Sequence, residues 1–231
     1  MTFMTARAIL TIVVAVATAS LAHAGTVSPP AQIGGTYSVP VVSLKEAKFS
    51  ATVRQQYDFS CGSAALATLL THHYHYPVNE AQVFTEMYEH GDQAKVQKEG
   101  FSLLDMKLYL EAHGFQADGF EAPLEQLETA HIPAIVLIRE NGYHHFVVLK
   151  GIRGGRVLIG DSSSGTRALS RAAFDSLWIS RILFVVRNHQ DIAAFDRDAD
   201  WRVAPRSPLG DVVNRDGLGN IVLPKHGPGD F

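Results

Sequence analysis

The chain has one cysteine, Cys61, set in the stretch Gln55–Leu70, QQYDFSCGSAALATLL. The residues after it are small and apolar enough to begin a buried helix, and those before it belong to a turn. A cysteine in the first turn of a helix sits at the positive end of the helix dipole, which favours thiolate over thiol. That placement suggests nucleophilic catalysis by sulfur, with Gly62 leaving room for a substrate backbone.

A thiol nucleophile needs a proton acceptor, and imidazole is the side chain whose pKa suits the task. The chain has 11 histidines, so geometry must choose among them. Asn141-Gly142 is a strong hairpin signal, and in the strand after it His145 shares a face with Val147 and Leu149. Gly154-Gly155 marks a second hairpin. Pairing Ile152 with Arg156 across it places position 163 opposite His145 and puts Asp161 two residues away on the same face, within diagonal reach. A carboxylate on one ring nitrogen and a thiol on the other would complete the set of nucleophile, base and orienter. The oxyanion of a tetrahedral intermediate needs donors as well. The Cys61 backbone N–H is one; Gln55 and Gln56 both offer a side-chain amide, and chemistry alone prefers neither.

The elements that must position these groups can be read around them. Cys61–His73 reads as a largely buried helix closed off before Pro77. A second helix follows the capping residue Asn79 as far as Gly91, and a third runs from Ser102, with Asp105 in its first turn, to Gly114. Leu103, Leu104, Leu108 and Leu110 are expected to form the apolar side of the third. Leu124–Thr129 suggests a short fourth. Beyond Pro133 the texture is that of strands: AIVLIRE, YHHFVVLKGI, RVLIGD and RILFVVR. Helices first and strands second predict an α+β fold with an antiparallel sheet. Residues 25–49, rich in Gly and Pro, read as a linker with an edge strand near Tyr37–Val42. Residues 50–187 form the domain, and 188–231 read as a loosely packed extension.

Residues 1–24 carry Arg7, an apolar run to about Leu21 and Ala22-His23-Ala24, the pattern of a cleaved secretory signal. A periplasmic or secreted location follows, without stable membrane insertion after cleavage. In an exported chain a single cysteine is expected to be reactive rather than structural. With 20 basic and 23 acidic residues, a net charge of −3 and no basic block, nothing suggests a nucleic-acid partner.

Taken in order, RQQYDFSCGSAALATLL, EGFSLLDMKLYLEAHGF, HFVVLKGI and IGDSSSG resemble the C39 bacteriocin-processing peptidases over roughly Ser50–Arg187. The segment FDSLWISRILFVV resembles the family's closing strand region. The resemblance implies a papain-like cysteine peptidase fold, a polypeptide substrate and no cofactor. It makes Cys61 the nucleophile, His145 the general base, Asp161 the orienter and Gln55, six residues before Cys61, the oxyanion donor. It also implies cleavage at a double-glycine or small-residue site in an exported protein or secretion component, with a link to fibre or amyloid secretion among stand-alone exported relatives. Ser162 stands where the family often has Pro.

Other readings are weaker. His72, His73 and His75 lack the i,i+4 spacing of a helical metal site and read as an exposed helix end. The GDS sequence ending at Ser162 suggests a serine esterase, but neither His189 nor His226 has an Asp three residues before it. Gly34-Gly35 reads as linker rather than as a self-processing site. A non-catalytic chaperone or scaffold on the same fold is the alternative from a different class, and intact Cys and His positions argue against it.

Overall fold

The computed structural model describes residues 42–205 and the backbone of 26–27 and 39–40. The expected signal segment, Gly34-Gly35, His226 and the chain from 206 onward lie outside the described residues. The chain divides into two compact units, Met1–Ser43 and Leu44–Phe231. In the first, β1 (Thr26–Val27) pairs antiparallel with β2 (Val39–Pro40). The strand expected over Tyr37–Val42 is thus described only at Val39–Pro40, and Val42 is exposed coil.

The second unit opens with α1 (Leu44–Lys48), followed by α2 (Cys61–His73), α3 (Glu80–His90), α4 (Gln93–Glu99) and α5 (Leu103–Ala112). Then come β3 (Ala117–Glu121), α6 (Glu125–Ala130), β4 (Ala134–Glu140), β5 (Tyr143–Arg153), β6 (Arg156–Asp161), β7 (Gly165–Ser170), α7 (Arg171–Leu177) and β8 (Ile182–Val186). A 3₁₀ turn at Gln190–Ile192 and α8 (Asp198–Trp201) follow.

The capping residues act as their types predict. The Asn79 side chain accepts from the Gln82 N–H while the Gln82 side chain accepts from the Asn79 N–H, and Ser102 and Asp105 form the same reciprocal box at α5. The face of α5 differs from the expected one: Met106, Tyr109 and Leu110 are buried, whereas Leu104 and Leu108 are 62% and 52% exposed. The inward stripe follows the 3.6-residue period through Met106 and Tyr109 rather than the leucine count.

Six strands form one sheet in the order β3-β8-β4-β5-β6-β7, two more than the sequence suggests. ADGFE and GTRALS have few branched or aromatic residues, so β3 and β7 escape a reading based on strand composition. The sheet is buried on both faces. Ile135, Phe146, Val148, Phe184 and Val186 pack with α2, α3 and α5, and Val136, Val147, Leu149, Ile159 and Val185 pack with α6 and α7. Asn141 and Gly142 both have positive φ (50° and 85°), as a two-residue hairpin of the primed kind requires.

The stretch from Asn188 to Pro205 is not loosely packed. Trp201 and Asp200 are buried, and Asp200 Oδ1 accepts from Lys150 Nζ at 3.2 Å. Lys150 also donates to the Ala51 carbonyl at 2.8 Å. A charged side chain of 0% exposure is tolerated only with such partners. His73 is also buried, not on an exposed helix end, and its Nδ1 meets the Ala194 carbonyl. Burial holds its pKa down at about 3, so it stays neutral at working pH.

Candidate active site

Cys61 is the first residue of α2, and the residue before it leaves the helix end open. Ser60 makes no side-chain cap; its hydroxyl turns back to the Tyr57 carbonyl and N–H at 3.0 and 3.2 Å. The first-turn amides of Cys61 and Gly62 therefore face the sulfur and whatever anion forms beside it. Burial raises the thiol pKa, against opposing hydrogen bonds from the N–H groups of Phe146, Gly62 and Cys61. The expectation of a helix-depressed thiol is thus corrected in direction: desolvation outweighs the helix end. Gly62 is corrected too. A Cβ there would come within 3.0 Å of Phe101 Cβ and 3.1 Å of Met106 Cε, so its small size serves packing of α2 rather than substrate access.

His145 is the third residue of β5, next to Phe146, whose backbone N–H is among the groups that act on the Cys61 thiol. His145 Nε2 lies 3.3 Å from Asp161 Oδ2. With Nε2 turned to the carboxylate, Nδ1 is the ring nitrogen left for the thiol proton. The strand pairing that makes this contact differs from the assumed one at the turn and agrees with it at the site. Near Gly154-Gly155 the pairs are Ile152↔Val157 and Arg153↔Arg156, one step off the assumed register. An irregularity between Leu149 and Gly151, at Lys150, shifts the strand back, giving Val147↔Asp161. Asp161 therefore reaches the face of His145 as expected, by way of a bulge the sequence does not advertise.

Asp161 is a well-anchored acceptor. Its side chain is 1% exposed. Oδ1 accepts from the Ser163 N–H (2.9 Å), the Ser163 hydroxyl (2.6 Å) and the Ser164 N–H (3.3 Å), an Asx-type turn that uses the DSSSG loop. Burial alone would raise its pKa, but the hydrogen bonds from His145 and Ser163 and the His145 charge outweigh it and hold the carboxyl well below the usual range.

Gln55 is separated from Gln56 by its surroundings. Its N–H donates to the Ser162 carbonyl at 3.1 Å, its Oε1 accepts from the Ser162 hydroxyl at 2.7 Å and its Nε2 donates to the Tyr57 carbonyl at 3.2 Å. A carbonyl can only accept, so the Tyr57 contact fixes which end of the amide is nitrogen. The second Nε2 hydrogen has no protein acceptor among the described residues. Gln56 is exposed. Upstream, the Val53 N–H bonds Thr68 Oγ1 on α2 at 2.9 Å, so the segment carrying Gln55 is tied to the nucleophile's helix. Ser162 is buried and donates to Gln55, which places it in a supporting position and not in that of an esterase nucleophile.

Two residues were missed by sequence reasoning. Arg167 Nη2 lies 3.1 Å from Asp161 Oδ2, and its fork also binds Glu140. Nothing local to GTRALS or AIVLIRE marks them; only the register of four strands, β4 to β7, brings them together. Glu140, His145 and Asp161 each offer a ligand atom within 4.8 Å of the others, a grouping that could attract a cation, but the Arg167 guanidinium already bonds both carboxylates.

Known proteins resemble this chain over the same domain. The Peptidase C39 family model matches residues 50–190. A protein of Pseudomonas aeruginosa named "Probable functional amyloid protease FapD" is 40% identical over 158 residues, 68% of this chain and 70% of its own length. A Pseudomonas fluorescens protein of the same name is 42% identical over 164 residues, 71% of this chain and 72% of its own. Among solved structures, the peptidase domain of Streptococcus ComA, a bifunctional ABC transporter involved in a quorum-sensing pathway, superposes with a TM-score of 0.50. It shares 22% identity and covers 59% of this chain and 96% of that domain, a likeness of fold.

Proposed function

From the chain's membership of the C39 peptidase family, to which it belongs as a cysteine peptidase, we propose that it is an exported endopeptidase acting on a polypeptide of an amyloid-fibre secretion system. The observation that carries the mechanism is the His145–Asp161 contact at 3.3 Å, in a chain whose cysteine opens α2. Cys61 Sγ attacks the scissile carbonyl carbon as its proton passes to His145 Nδ1. The carbonyl π electrons move onto oxygen, where the Cys61 N–H and the spare Gln55 Nε2 hydrogen receive them. The imidazolium, held by Asp161, then protonates the departing amine, and the C–N bond breaks to leave a thioester. Water, deprotonated by the same imidazole, attacks the thioester and frees the acid and the thiol.

Family membership supports a double-glycine or small-residue cleavage site, and the FapD names of the relatives support the amyloid link. Residues 1–24 act as a cleaved signal in this reading, so the periplasmic chain begins at Gly25; its N-terminal sequence tests that directly. The peptidase reading is tested by mapping the N-termini of exported polypeptides in cells carrying the normal chain or Cys61→Ala. One or more N-termini should vanish in the variant. Unchanged processing by a folded Cys61→Ala protein overturns the reading.

A further inference from the structure

Asp161 Oδ2 serves two donors at once, His145 Nε2 at 3.3 Å and Arg167 Nη2 at 3.1 Å, while Oδ1 is filled by Ser163 and Ser164. Arg167 in turn grips Glu140 with both arms, Nη1 to Oε1 at 3.0 Å and Nη2 to Oε2 at 2.5 Å. Its Nε is buried with no hydrogen-bond partner among the described residues. The guanidinium is thus committed to two carboxylates rather than offered to the cleft.

Strand register puts all four groups on one face. Ile138 is paired with His145, so Glu140 at the end of β4 shares that face; Val147 is paired with Asp161, and Arg167 is opposite Ile159, two residues before Asp161. The charged groups that share this face with the imidazole are Asp161 from β6, Arg167 from β7 and Glu140 from β4.

We propose that Arg167 and Glu140 are positioning residues that act through Asp161: the pair fixes the carboxylate's orientation and sets how much negative charge the imidazole of His145 experiences. Two carboxylates and one guanidinium leave one net negative charge around the imidazole, which is enough to stabilise the imidazolium formed in the reaction. Without Arg167 that charge doubles, and the imidazolium would be held too firmly to give its proton to the leaving amine. Without Glu140 the net charge vanishes, and His145 would be a weaker base. A pair serving only to tie β4 to β7 would have no such opposed consequences.

The inference rests on His145 being the base, and its test does not depend on cleavage. In full-length protein carrying Cys61→Ala, His145 is titrated by NMR, its signal assigned by loss in a His145→Gln variant. Arg167→Met should raise its pKa by about one unit, and Glu140→Gln should lower it by about as much, as a charge removed at this range predicts. Combining the two should return it near the parent value, and Arg167→Lys should leave it near the parent. In protein with Cys61 intact, the acid limb of kcat/KM should follow the same order.

Shifts of one sign in both single variants, no shift in either, or an Arg167→Lys value equal to that of Arg167→Met would overturn the proposal. If Arg167→Met does not fold, Glu140→Gln and Arg167→Lys still decide it, the first by its downward shift and the second by its absence of one. Should Cys61→Ala keep its peptidase activity, the catalytic reading fails independently of these titrations.

Discussion

Asp161 concentrates the chemistry of the site at a single side chain. Its Oδ2 takes donors from His145 and Arg167 and its Oδ1 takes three from the following turn. In Asp161→Asn, either orientation of the amide turns its NH₂ toward groups that are themselves donors. The variant should lose on the order of 10²-fold or more in kcat, as expected when a general base is misoriented, and steady-state kinetics will show it. The pH dependence of stability has a definite sign. A carboxyl held below its unfolded value adds stability that is present above about pH 4 and fades as pH falls through the lower folded value. Melting temperatures measured between about pH 5 and pH 3 should therefore fall more steeply for the normal chain than for Asp161→Asn. Gln55→Ala should reduce kcat by about 10²–10³-fold with little change in melting temperature, whereas the exposed Gln56→Ala should do neither.

Elements deliver these residues with different degrees of legibility. The start of α2 at Cys61, the boxes at Asn79 and Ser102 and the turn at Asn141-Gly142 were all readable because local hydrogen bonding and backbone preference dictate them. The β5–β6 register was not readable in that way. A turn paired one step off and a bulge at Lys150 compensate each other, and the bulged residue makes tertiary contacts: Lys150 reaches across to Ala51 and to Asp200. Asp200 comes from the segment after β8, so the supposed extension supplies the counter-charge for a side chain five residues from His145. Asp200→Ala would leave that ammonium buried with only neutral oxygens. It should cost on the order of 3 kcal/mol in urea unfolding, the range for a broken buried pair, whereas Asp198→Ala, on an exposed partner of Arg153, should cost far less.

At the scale of the whole molecule, the order of elements was informative where the side-chain detail was not. Helices followed by strands gave α+β, and the six-stranded sheet with α2, α3 and α5 on one face and α6 and α7 on the other is that architecture. Cys61 and Asp161 lie at element boundaries that the sequence marks, and His145 lies two residues after the start of β5. Arg167 and Glu140 were not legible, since their meeting depends on four strands being in register at once. Among the described residues no helix is long and apolar enough to cross a membrane. The catalytic account requires the half-buried thiol at the start of α2 to meet an imidazole on the sheet.

Alkylation of Cys61 tests that union without requiring a substrate. Burial raises the thiol pKa, so sulfur should depend on its neighbour to react near neutral pH. At about pH 7, iodoacetamide should label the normal chain about a hundredfold faster than His145→Ala, within the range general-base assistance provides. Equal labelling rates in the two proteins, each following the pH profile of an isolated thiol, would contradict the pairing of Cys61 with His145 on which the catalytic account depends.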